Sequence, residues 1–311
     1  MPGPYAHITL LNQIWRSDRG NAFFSGTASI GTALLQQYPY CMLGAVSPDY
    51  PNLVSNNSKA SQWADVMHCC RAGDMIIRGV ERVRTAHGNC RDKQLSWLLG
   101  YAAHLVTDVT IHPVVQAMVG PYTENQRQHR RCEMNQDRYI YHRMNQGEIG
   151  ATNRFALEIA RCSDAENRYR LDPDIMDLWE GMLSDVYPEF CAANPPDISA
   201  WHEKFISMTC QHERKALRLF PLASVISAKT GLNYPAFDAV DRQFIEDQPV
   251  PIEPPFHLHY DDIFYHAGCN VAVLWRRIEE ALSAPCPANL PGFSQWNLDT
   301  GCDDYNRLVF W

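Results

Sequence analysis

The stretch LLGYAAHLVTDVTIHPVVQ, residues 98–116, decides how this chain is read. It is apolar, yet it carries His104, Asp108 and His112 at intervals of four. On an α-helix, residues four apart lie about 40° from one another, so the three polar groups share one stripe. Pro113 follows at once, and a proline lacks the amide hydrogen and crowds the preceding turn. The helix is therefore expected to end or kink there. An imidazole, a carboxylate and a second imidazole are donors of the kind zinc accepts. Core polar groups satisfied by the backbone and by one another are the more ordinary account of a lone His-x3-Asp, so the decision rests on the rest of the chain.

Working outward, the same residue types return. HRRCEMNQD places His129 and Glu133 four apart on a helical face. His68 closes WADVMH, Asp49 sits in the turn GAVSPDYP, and His7 lies near the start. Metal-ligand side chains thus come from five segments within the first 133 residues. A second gathering, His257, His259, Asp261 and His266 around FHLHYDD, lies in a proline-rich setting that reads as a loop entering a helix, outside the site. No GxSxG, P-loop or GxGxxG is present, and no His is followed directly by Asp, which argues against those hydrolase and nucleotide-binding classes.

The chain has 311 residues, 46% of them hydrophobic, enough for one large domain or a domain with an appended part. Its net charge of −8 counts against a phosphate-tracking nucleic-acid binder, so nucleic acid is disfavoured as a partner. The eleven cysteines include no CxxC pair, which disfavours a thiolate zinc site. The start lacks the basic region and apolar core of a signal peptide, and no run is expected to reach the roughly 18–20 apolar residues of a membrane span. The expectation is a soluble protein made in the cytoplasm, with mostly reduced, buried cysteines; export without a classical signal stays open.

Periodicity predicts an all-α fold. Helices are expected over ASQWADVMHCCRAGDMIIRGVERVRTA, KQLSWLLGYAAHLVTDVTI, TNRFALEIARC, DIMDLWEGMLSDVYPEF, DISAWHEKFISMTCQHERKALRLF and DDIFYHAGCNVAVLWRRIEEALS. Pro, Gly, Asn and Asp punctuate between them, and no βαβ unit or repeat is visible. NQGEIGA, near residues 146–152, marks a soft boundary. Residues 1–150 are expected to hold the catalytic core and 151–311 a helical extension packed on it, with one continuous domain as the other reading.

The ordered set His7, Asp49, His68, His104-x3-Asp108, His112, His129-x3-Glu133 resembles the bacterial zinc-dependent phospholipase C family. The fungal single-strand-specific zinc nucleases share its all-helical fold and trinuclear site. SPDYPN, AHLVTDV with a proline soon after, and His-x3-Glu followed by Asp137 carry the likeness, over roughly residues 1–145. The resemblance implies a multi-helix core holding two to three zinc ions. His68, His104, Asp108 and Asp49 would hold one; His7 and the bridging Asp108 a second; His112, His129 and Glu133 a third. It implies that Asp49 orients or deprotonates the attacking water. Tyr50, following Asp49, and Trp63 would form aromatic walls able to hold choline by cation–π contact, with ordinary packing as the competing reading.

There are departures. The relatives complete one zinc site with a free N-terminal tryptophan, whereas this chain begins Met1-Pro2-Gly3; removal of Met1 would leave Pro2 five residues before His7. Residues 1–7 also contain no acidic side chain for choline. The implied activity is cleavage of a glycerophospholipid at a membrane surface into diacylglycerol and a phosphorylated head group. A nuclease or nucleotidase on the same scaffold and a non-catalytic zinc-binding module are the alternatives. The oligomeric state is not legible.

Overall fold

The computed structural model describes residues 2–16, 28–54, 58–213, 217–254, 256–284 and 295–311. Met1, Cys286 and parts of the expected connectors and of HERKALRLF lie outside them. The fold is all-α, with two-stranded antiparallel pairings as its only strands among the described residues.

The opening stretch lies in α5, Gly88–Val119, a central helix buried from Gln94 to Val115. The expected stop at Pro113 does not occur, and the helix runs on to Val119. Its backbone near the proline is covered from outside: a methyl on Gly301 would come 2.6 Å from the Val109 carbonyl, and the Trp311 indole donates to the Thr110 carbonyl at 2.8 Å. Contacts from the end of the chain thus stand where the helical ladder is weakened. α5 is also long and apolar enough to pass for a membrane span, contrary to the expectation that no run is, but its apolar window is wholly buried in the fold.

Two helices precede it that periodicity did not single out. α1, Pro4–Arg16, begins with a proline, and α2, Ala28–Gly44, bends at Gln37 just before Pro39. α2 crosses α5 at two glycines: a methyl on Gly44 would stand 2.0 Å from the Trp97 carbonyl oxygen, and one on Gly100 would stand 1.9 Å from that of Cys41. Only glycine allows this approach. The 3₁₀ segment Ser47–Leu53 follows, pinned where Ser47 Oγ donates to the Leu43 carbonyl and accepts from the Trp97 indole.

The long helix expected around VMHCCRAGD is two, α3 at Ser58–Cys69 and α4 at Ala72–Thr85, broken where Arg71 takes φ 55°. α6, Tyr122–Arg143, carries His129 and Glu133. The glycine turn around residue 150 leads to α7, Arg154–Ile159. Then come α8, Pro173–Val186; α9, Pro188–Ala193; α10, Ile198–His212; α11, Pro221–Thr230; and α12, Tyr260–Ser283. α12 lies along α5, and its Trp275 indole donates to the Leu99 carbonyl. One hydrophobic cluster takes residues from both sides of residue 150, from Ile8 and Leu105 to Phe205 and Trp275. The cysteines correct one expectation: Cys41, Cys132 and Cys162 are buried, but Cys69 and Cys70 are exposed and the other described ones half-buried.

Candidate metal centre and its cavity

Four elements converge on Asp108, at the middle of α5 and fully buried. One of its oxygens, Oδ1, lies 3.2 Å from His7 Nε2 on α1. The other, Oδ2, lies 3.4 Å from His104 Nε2 and 3.6 Å from His68 Nε2 at the end of α3. Asp49, from the 3₁₀ segment, places Oδ1 3.8 Å from His68 Nε2. The His7 and His104 rings stack at 4.1 Å and 14°.

The donor set fits a divalent metal on grounds internal to this structure. His68 Nδ1 faces the Ala64 carbonyl at 2.6 Å, and His104 Nδ1 faces that of Ala45 at 2.9 Å. Each Nδ1 therefore carries the ring proton in the neutral form, which leaves a lone pair on each Nε2. Those two nitrogens stand 3.2 Å apart. Two lone pairs face to face repel, and a cation between them removes the repulsion. Zinc–nitrogen bonds of about 2.0–2.1 Å in a tetrahedron put neighbouring donors roughly 3.4 Å apart, matching these separations. Both oxygens of Asp108, both nitrogens of His7 and Oδ1 of Asp49 are also buried without a hydrogen bond. Native cores seldom tolerate this. Burial opposes the charge of Asp108, but His104 and His7 outweigh it and hold the carboxyl well below its usual range. His7, His104 and Asp108 form a compact potential metal cluster.

The remaining expected ligands are buried but less tightly gathered. His112 Nε2 and His129 Nδ1 lack hydrogen-bond partners, while their other nitrogens face the carbonyls of Leu298 at 2.5 Å and Gly120 at 2.6 Å. Glu133 pairs with Arg130 at 2.8 Å. Among the described residues these three do not close into a cluster like that around Asp108. Asp137, one turn beyond Glu133, instead accepts the Ala6 amide at 2.7 Å and the Tyr234 hydroxyl at 2.9 Å, so it anchors the start of α1. Burial pushes its carboxyl up to about 7.

Tyr50 and Trp63, expected as aromatic walls for a substrate, are in the core instead. Tyr50 stacks on Phe205 at 5.2 Å and its hydroxyl meets His202 Nδ1 at 3.4 Å. The Trp63 indole donates to the Asn194 carbonyl and packs on Phe190. Packing explains both. His257, His259, Asp261 and His266 lie elsewhere, engaged with Asp247, the start of α12 and the Phe310 carbonyl.

Two features were invisible at the level of motifs. The backbone of Leu298 clasps the site, its amide donating to the His68 carbonyl at 2.8 Å and its carbonyl facing the His112 ring. Beside the metal centre lies a cavity of about 480 Å³ that Asp49 also lines, between α6 and α11. Arg127 and Arg130, three apart on α6, carried a helical-face signal; Lys229 carried none.

Such a fold around such a donor set defines an all-helical, metal-dependent class of protein. The comparisons place it more closely: the chain matches the family model of zinc-dependent phospholipase C over residues 6–189 and belongs to that family. No curated protein and no solved structure matches it.

Proposed function

We propose that this protein is a zinc-dependent phospholipase C, which hydrolyses the phosphodiester of a glycerophospholipid at a membrane surface to diacylglycerol and a phosphorylated head group. The observation that carries the reading is the divided carboxylate of Asp108, one oxygen toward His7 and the other toward His68 and His104, beside a cavity that shares Asp49 with the centre. Family membership supports it. His68, His104, Asp108 and Asp49 would hold one zinc, His7 with Asp108 a second, and His112, His129 and Glu133 a third. Zinc held by these residues would supply an acidified water at neutral pH and charge stabilisation for the phosphoryl oxygens.

The protein's own groups supply the rest. The carbonyls of Ala45 and Ala64 fix the tautomers of His104 and His68, so that both Nε2 atoms face inward. Asp49 reaches both the donors and the cavity and has an oxygen free of hydrogen bonds, which suits it to orient the attacking water and take its proton.

The test is release of diacylglycerol from short-chain phospholipids by zinc-loaded protein, alongside Asp49→Asn. The expected result is turnover by the wild type and a kcat about 10²–10⁴ lower in the variant, the usual worth of a general base. Most of the zinc should be retained. Cleavage of single-stranded DNA with no lipid turnover would make this a nuclease on the same scaffold. Zinc without turnover on either substrate would make it a binding module.

A further inference from the structure

The cavity beside the metal centre is built for negative charge. Arg127 and Arg130 enter from α6 and Lys229 from α11, and Leu222, Val225 and Ile226 form an apolar wall. Among the described residues the one acidic side chain in its lining is Asp49, which faces the metal donors. Arg130 is largely buried, with its side chain 13% exposed, and is held by Glu133 and by the Tyr122 hydroxyl at 3.0 Å. Arg127 is tied to the Thr230 carbonyl. Lys229 makes no ion pair among the described residues; burial first, and then the like charge of Arg130, push its ammonium below the usual range. Like charges brought to one cavity mouth repel, and an anion between them turns that repulsion into attraction.

The same geometry disfavours a quaternary ammonium. A choline site needs an open aromatic face or a carboxylate free to face it, and the carboxylate here, Asp49, is turned to the metal donors. The aromatic ring lining this cavity, Tyr122, already has the Arg130 guanidinium over it at 5.5 Å. Tyr50 and Trp63 are fully buried elsewhere. A cationic head group would stand beside Arg127 and Lys229, with the Arg130 charge offset by Glu133.

We propose that the cavity receives an anionic head group, so that the preferred substrate is a glycerophospholipid whose head group carries negative charge of its own, as a phosphorylated polyol does. This rests on the phospholipase C reading. The limited volume and apolar wall suit a compact head group followed by glycerol and acyl carbons better than a long polyanion, as does the net charge of −8 over the whole chain.

The experiment uses zinc-loaded full-length protein and monomeric dihexanoyl lipids, so that no charged surface intervenes. Phosphatidylinositol 4-phosphate, phosphatidylcholine and a single-stranded DNA dodecamer are compared, and binding of inositol 1,4-bisphosphate is followed by calorimetry. The expected result is a kcat/KM at least about tenfold higher for the phosphoinositide than for phosphatidylcholine. The Arg127→Gln/Lys229→Gln double variant should raise its KM and weaken inositol bisphosphate binding by about tenfold or more, as the loss of charge-assisted hydrogen bonds requires. Lys229→Glu, a single change at an exposed position, should shift preference toward phosphatidylcholine. Faster cleavage of phosphatidylcholine, with inositol bisphosphate binding indifferent to the variants, overturns the head-group inference and leaves the phospholipase reading standing. Cleavage of DNA and of neither lipid overturns both.

Discussion

Asp108 shows how one side chain can organise a centre. Its two oxygens face different imidazoles, so a change that keeps the volume but converts one oxygen to an amide replaces an acceptor with a donor aimed at a ring nitrogen or a cation. Asp108→Asn is expected to lose at least one zinc per chain by elemental analysis, and lipid turnover with it. Full zinc and near-normal turnover would remove Asp108 as a bridge. The stripe that carries it was legible because helical spacing alone aligns His104, Asp108 and His112. Tyr50 was not legible from its neighbour. In a 3₁₀ segment successive residues point about 120° apart, so when Asp49 faces the cavity, Tyr50 turns into the core against Phe205 and His202. Adjacency in sequence there means separation in space.

At the scale of elements, the crossing of α2 and α5 sets the site. Gly44 and Gly100 let the two backbones touch, and that contact delivers the Ala45 carbonyl to His104. Gly100→Ala would drive a methyl into the Cys41 carbonyl. The expected cost is about 1–3 kcal/mol of stability, with zinc affinity about 10–100-fold weaker as the orienting carbonyl moves off the ring. A thermal melt and a zinc competition titration check this, and an unchanged value in both would show that the crossing relaxes freely. Elements were read unevenly for physical reasons. α5 and α12 have long apolar faces and were plain. α2 carries a proline inside it, a signal that reads as a break. Pro113 misled in the same way, because the residues that cover the backbone beside it, Gly301 and Trp311, are far away in sequence.

For the whole molecule, charge and pH are the measures. The overall acidity is an average, and it concealed a cavity lined by three cations. The wall that supplies Lys229 lies beyond the stretch covered by recognisable motifs, so the cavity could not be assembled from them. The core also carries a buried titratable group that is not among the candidate metal ligands. His202 meets Tyr50 and Ser163, and burial lowers its pKa to about 4. An unfolded chain protonates the same imidazole near pH 6.5. The stability this neutral ring contributes is therefore complete above about pH 6.5 and is lost as the pH falls toward 4, by roughly 3 kcal/mol. His202→Gln is expected to flatten the fall in Tm between pH 7 and pH 4.5. A variant as acid-sensitive as the wild type would place the sensitivity elsewhere.

Leu298 gives the molecule a clock. Its backbone grips the His68 carbonyl and the His112 ring at once, and a chain grows from its N-terminus. Every candidate metal ligand leaves the ribosome before this clasp exists. Until residue 298 arrives, the His112 ring lacks this acceptor and the His68 carbonyl lacks the Leu298 amide. This clasp on the His68 carbonyl and the His112 ring is therefore among the last contacts of the site that synthesis makes possible.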